Sequence, residues 1–195
     1  MKITPQIQID PRCAIPLRII APVIAAAGEV VRRDRKLDTG PDASTWTITQ
    51  RRTVNAPHGK THPGVPAQVR LGLPAPESGR TANQAAQVCR VALHEWVHVA
   101  QFQQLGASAW RYGKDRDRVA EQDADETVRL LTSPEMSFAL RQACWALADW
   151  LKVRALEAKQ ARARAADKRR REREFYADGR RKRTMRTNNA NEGAA

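Results

Sequence analysis

The sequence predicts an α+β fold, with a small mixed or antiparallel sheet packed on one long apolar helix and a mainly helical second half. Residues 44–54 and 67–73 alternate apolar and polar side chains with the period of half-buried strands. Residues 81–105 are apolar over much of a helical circumference, and two further segments beyond Gly106 carry helical periodicity. A chain of 195 residues is long enough for one domain with a real core and short for two.

In chain order, AIPLRIIAPVIAAAGEVVRR reads as a buried helix with Pro22 near its first turn. STWTITQRRTV follows as a strand with Trp46 and Ile48 on one face. Residues 55–66, rich in Pro, Gly and His, read as a loop, so the four-residue spacing of His58 and His62 has no helical meaning there. AQVRLGL, closed by Pro74 and Pro76, suits a sheet edge. The long helix then runs from Thr81 to Leu105, and Gly106 is its natural stop. Asp115 and Asp117 offer N-caps for a helix to Leu131. Ser133 and Pro134 start a last helix bearing Phe138, Leu140, Cys144, Trp145, Leu147, Trp150 and Leu151.

The apolar stripe of that helix ends near Leu151, which divides the chain into a folded domain over 1–151, a solvated basic helix over 152–179 and a disordered basic tail over 180–195. The net charge of +13 follows the same division. Residues 152–186 hold fifteen Lys/Arg against five Asp/Glu, so the rest of the chain is only mildly basic. The tryptophans at 96, 110, 145 and 150 read as packing groups, because none lies among these basic residues. Three cysteines, at 13, 89 and 144, have no spacing typical of a disulfide scaffold or thiolate metal knuckle, which points to a reducing compartment. The N-terminal segment has no secretory pattern, and the apolar run from Ala14 to Ala27 is too short and too interrupted to span a bilayer. These features predict a cytoplasmic protein with no membrane partner.

Within the long helix, LHEWVHVAQ sets His94 and His98 one turn apart, where both can aim a ring nitrogen at one metal ion. Glu95 is offset by about 100° of helix rotation, beside such an ion and outside its ligands. Two ligands and a general base is the chemistry this spacing supports. A catalytic zinc site needs a third protein ligand. The next helix offers Glu121 as that ligand and, four residues on, Asp125 to accept the free ring N–H of a ligand histidine. Asp115, Asp117 and Asp123 are competing carboxylates. Gln101, one turn past His98, reads as a surface amide.

The motif HExxH with Glu-x-x-x-Asp on a following helix resembles the gluzincin zinc metallopeptidases. Within that group, ALHEWVHVAQ and EQDADETVRLLTSPE are similar to the small bacterial and phage metallopeptidases of the ImmA/IrrE type, over residues 67–135. The resemblance implies a zincin-like domain holding Zn2+ on His94, His98 and Glu121, with Glu95 as the base and Asp125 behind a histidine. It also implies hydrolysis of peptide bonds in a protein or peptide partner lying along the strand at 67–73. The larger gluzincins stabilise the oxyanion with a Tyr or His, for which Tyr112 is the candidate. Two other readings stay open: a nucleic-acid-associated or phage structural protein acting through residues 152–186 with the zinc fold as scaffold, and an inactive peptide-binding zinc module.

Overall fold

The computed structural model describes residues 5–37, 44–51, 57–62, 66–74, 81–105, 114–131 and 138–192. Four strands, β1 (Gln6–Ile9), β2 (Ser44–Arg51), β3 (His58–His62) and β4 (Ala67–Pro74), accompany four helices: α1 (Leu17–Asp34), α2 (Thr81–Leu105), α3 (Lys114–Leu131) and α4 (Phe138–Glu192). The α+β class is as the periodicities predict. The chain divides into two compact units, Met1–Ala155 and Leu156–Ala195.

The sheet is mixed, in the order β1-β2-β4-β3, with β1 and β4 parallel to β2 and β3 antiparallel to β4. Its register follows from burial. Ser44, Trp46 and Ile48 of β2 lie opposite Ala67, Val69 and Leu71 of β4, and all six are buried. A slip of one residue would bring Thr45 and Thr47 into the core.

The sheet differs from the expected one at β3 and β4. The stretch expected to be a loop contains β3, and β4 is interior while β3 forms the edge among the described strands. Pro74 does not disqualify β4 from an interior place because it occupies the last pair of the ladder, opposite Arg51. A further strand, β1, lies outside the two predicted from alternation. It has only four residues, too few for its pattern to stand out.

Helix α1 begins at Leu17, so Pro22 sits inside it and not in its first turn. It ends in a Schellman motif: Lys36 adopts φ 51°, its N–H bonds the Arg33 carbonyl, and the Leu37 N–H bonds the Arg32 carbonyl. Since α3 begins at Lys114, Asp115 and Asp117 lie within its first turn and do not precede it as caps. The Ser133–Pro134 start expected for the last helix lies outside the described residues, as do Gly106 and Trp110. Helix α4 buries Leu140, Leu147 and Leu151, whereas Phe138 and Trp145 are both 61% exposed. Its backbone continues past Gly179 to Glu192, further than the expected end. Among the described residues, no helix is long and apolar enough to cross a membrane.

Trp96 locks α2 to the rest of the core. Its indole N–H donates to the Ile24 carbonyl at 2.7 Å, and its ring lies 5.1 Å from that of Trp46. Gly28 of α1 allows this approach, because a Cβ there would lie 2.8 Å from the Trp96 ring. Cys89 and Cys144 form a disulfide between α2 and α4, with Cα atoms 6.5 Å apart across 55 residues of sequence. Sequence spacing cannot reveal a pairing made by tertiary proximity. The cysteine pattern therefore loses its force as an argument for a reducing compartment.

Alanine at Gly28 would gain about 1 kcal/mol of helix propensity, but overpacking against a buried indole costs about 1–3 kcal/mol. Gly28→Ala should therefore lower stability, seen as a lower denaturant midpoint at unchanged slope; a raised midpoint would show that Trp96 yields easily. Because no residue from Leu156 to Ala177 is buried, removal of 156–195 should leave the first unit unfolding in one cooperative transition. Loss of cooperativity in calorimetry would move that boundary.

Candidate metal centre

Between residues 94 and 101, helix α2 carries four polar side chains among apolar ones: His94, Glu95, His98 and Gln101. Glu95, His98 and Gln101 are buried, which costs free energy unless each finds a partner. The partners come from α3 and β3, and His98 and Gln101 also bond each other.

On α3, Glu121 reaches both histidines. Its Oε2 lies 3.1 Å from His94 Nε2 and its Oε1 lies 3.2 Å from His98 Nε2. The two Nε2 atoms are 3.0 Å apart, with the rings edge to face. Atoms of these three residues thus converge, and among the described residues they form a group that could hold a metal ion. Ligand atoms about 2.0–2.1 Å from a tetrahedral zinc lie about 3.3 Å from one another. The observed contacts of 3.0–3.2 Å, made through both oxygens of Glu121, are close to that spacing.

The opposite ring nitrogens are held separately. His94 Nδ1 lies 3.2 Å from the Asp125 carboxylate, as the Glu-x-x-x-Asp spacing predicts. His98 Nδ1 lies 2.9 Å from Gln101 Oε1. Gln101 cannot be turned the other way without loss, because its Nε2 already donates to the Ala120 carbonyl at 3.1 Å and to Asp123 Oδ2 at 2.6 Å. With both Nδ1 atoms placed as donors, both Nε2 atoms carry lone pairs, and they face each other and a carboxylate. In neutral rings so oriented, the two Nε2 atoms and the Glu121 carboxylate are all acceptors, a set that could hold a cation.

Asp123 is therefore occupied and does not compete with Glu121. Arg35 Nη2 donates to both of its oxygens, at 2.8 and 2.9 Å, and to Thr127 Oγ1 at 2.7 Å. Burial acts to raise the Asp123 pKa, but the bonds from Arg35 and Gln101 and the guanidinium charge outweigh it and hold the group below its ordinary value. The side chains of Asp115 and Asp117, and all of Tyr112, lie outside the described residues.

Glu95 points toward the sheet. Thr61 Oγ1 of β3 donates to Glu95 Oε2 at 2.6 Å, and Gly59 leaves room for the carboxylate where any Cβ would overlap it. Burial raises the Glu95 pKa, against the lowering effects of the Thr61 bond and the nearby His98. His58 and His62 belong to the opposite face of β3 by strand alternation, and the His58 ring covers Gly72 of β4.

Thr61, Gly59 and Arg35 are thus neighbours of the candidate site that motif reading missed, Asp123 supports Gln101 where it was named as a competing ligand, and Gln101 is a buried link instead of a surface amide. Its signal was present, since Gln101 lies three residues past His98 on the same helix face. No protein-family model, no curated protein and no solved structure matches this chain.

Gln101→Met keeps the volume but removes the acceptor behind His98. Affinity for a divalent first-row metal should fall by about 10–100-fold, the usual scale for losing a partner behind a ligand histidine. Competition against a chromophoric chelator measures it, and unchanged affinity would remove Gln101 from the site.

Proposed function

We propose that this chain is a zinc-dependent peptidase that hydrolyses peptide bonds of a protein partner. The observation that carries the reading is the triangle of acceptors from His94, His98 and Glu121, with the carboxylate of Glu95 on the same helix and held from the sheet side by Thr61. Two imidazoles and one carboxylate suit zinc better than calcium or magnesium, which favour oxygen ligands throughout. A zinc ion on these three residues supplies a water of lowered pKa and a Lewis acid for a carbonyl oxygen.

The rest is work for the protein's own groups. Glu95, outside the ligand set, accepts a proton from the attacking water and delivers it to the leaving amine. Burial makes it a stronger base than a solvated carboxylate, and Thr61 fixes its orientation. Asp125 and Gln101 hold the two imidazoles in the tautomer that ligation requires.

A peptide substrate is favoured by the position of β3. Thr61 and Gly59 touch Glu95 from the edge strand, so an extended chain added along β3 would run past the acceptor cluster with its carbonyls in regular order. This replaces β4, the strand first assigned that role, because β4 is paired on both sides. The reading agrees with the gluzincin and ImmA/IrrE-type resemblance of the motifs.

The purified protein should hold one zinc per chain, lost in His94→Ala and His98→Ala by metal analysis. Glu95→Gln should retain zinc while hydrolysis falls by about 100-fold or more, the scale expected for a general base. Both forms are to be incubated with protein from the source cell and the new N-termini compared by mass spectrometry. Cleavages common to both forms would reject Glu95 as the base. Zinc binding with no cleavage by either would leave a peptide-binding module in place of an enzyme.

A further inference from the structure

In the second unit, α4 segregates its charges by face. At about 100° per residue, Lys159, Arg162, Arg169, Arg170 and Arg173 fall within one arc of about 100°, which contains no acid. Ala166 is the small residue between them. The acids Glu157, Asp167, Glu172 and Glu174 lie on the remaining surface with Arg164 and Lys168, and with Arg171. Ion pairs follow this division. Asp167 pairs with Arg170 and Arg171, Glu172 with Lys168, and Glu174 with Arg170 at the boundary of the arc. None of the described ion pairs takes up Lys159, Arg169 or Arg173, and all three are exposed.

We propose that this face binds the phosphate backbone of double-stranded nucleic acid without reading its sequence. From Lys159 to Arg173 the cations extend over about 21 Å at 1.5 Å per residue, along a duplex that carries one charge per about 1.7 Å. Most are guanidinium groups, which engage phosphate oxygens in pairs, and Ala166 lets the helix approach closely. An anionic lipid surface fits less well, because an interfacial helix needs an apolar face and the surface opposite this arc is charged. A single strand fits less well too, since Phe175 and Tyr176 are the only aromatic residues of 156–177 available for stacking.

The test uses the full chain and two labelled duplexes of about 24 base pairs with unrelated sequences, followed by anisotropy over a salt series. Both duplexes should bind alike, with a slope of log K on log salt of about −4 or steeper for five or more phosphates neutralised. Lys159→Gln/Arg169→Gln/Arg173→Gln should make that slope shallower by about 2.7 and weaken binding at least tenfold at low salt. Arg164→Gln/Lys168→Gln/Arg171→Gln removes the same charge from the other face and should change the slope by less than about 1. Glutamine is a good helix former, and circular dichroism checks that both variants stay helical. Equal losses in the two variants, no duplex binding by the wild type, or a preference for anionic vesicles over duplex would each overturn the proposal. Zinc content should be the same in all three proteins, so this result and the peptidase result are independent.

Discussion

The Nε2 atoms of His94 and His98 and the two carboxylate oxygens of Glu121 meet at 3.0–3.2 Å, and neutral rings whose Nδ1 atoms donate bring only acceptors to that contact. Such an arrangement is repulsive in itself, so it needs a cation or strong restraint. The restraint comes from two directions. Asp125 and Gln101 take the far side of each imidazole, and Asp123 and Arg35 hold Gln101 in turn. Arg35 follows directly on α1, so the end of the first helix contributes to the orientation of a ring on the second.

Packing supplies the second direction. Trp96 sits between the two motif histidines in sequence and points away from them, into a contact with Ile24, Gly28 and Trp46. A helix anchored this firmly on its apolar side can present buried polar groups on another side without rotating to expose them. The free energy of the core thereby offsets the cost of burying Glu95 and His98.

Local periodicity made much of this legible. The span of α2, the shared face of His94 and His98, and the Glu121–Asp125 pair are set by spacing within single helices, where position in sequence determines position in space. What stayed hidden depends on non-local pairing. HGKTH between prolines has too little apolar content to announce a strand, and it becomes β3 only because β4 is beside it. Thr61 and Gly59 were therefore missed as neighbours of Glu95. Gln101 was assigned to the surface because its burial is made by α3. The Cys89–Cys144 pair was missed for the same reason. The basic part of helix α4 was legible in composition only as far as Gly179, because beyond Leu151 no apolar stripe marks where the helix ends.

Exposure across the candidate site varies in one direction. His98 is 5% exposed at its side chain, His94 19%, Glu121 59% and Asp125 79%. The centre thus has a floor fixed by the core and a rim supplied by α3. Burial of the floor keeps the imidazoles in place, because His98 cannot turn without breaking its bond to Gln101. A site closed on all sides would admit only a small ligand, whereas one whose carboxylates face solvent can receive a segment of a longer chain. The edge position of β3 among the described strands meets the same requirement, since an edge strand can add an extended backbone that enters and leaves the site. For the proposed peptidase, the open rim and the edge position of β3 among the described strands are two separate features, and both suit a polymeric substrate.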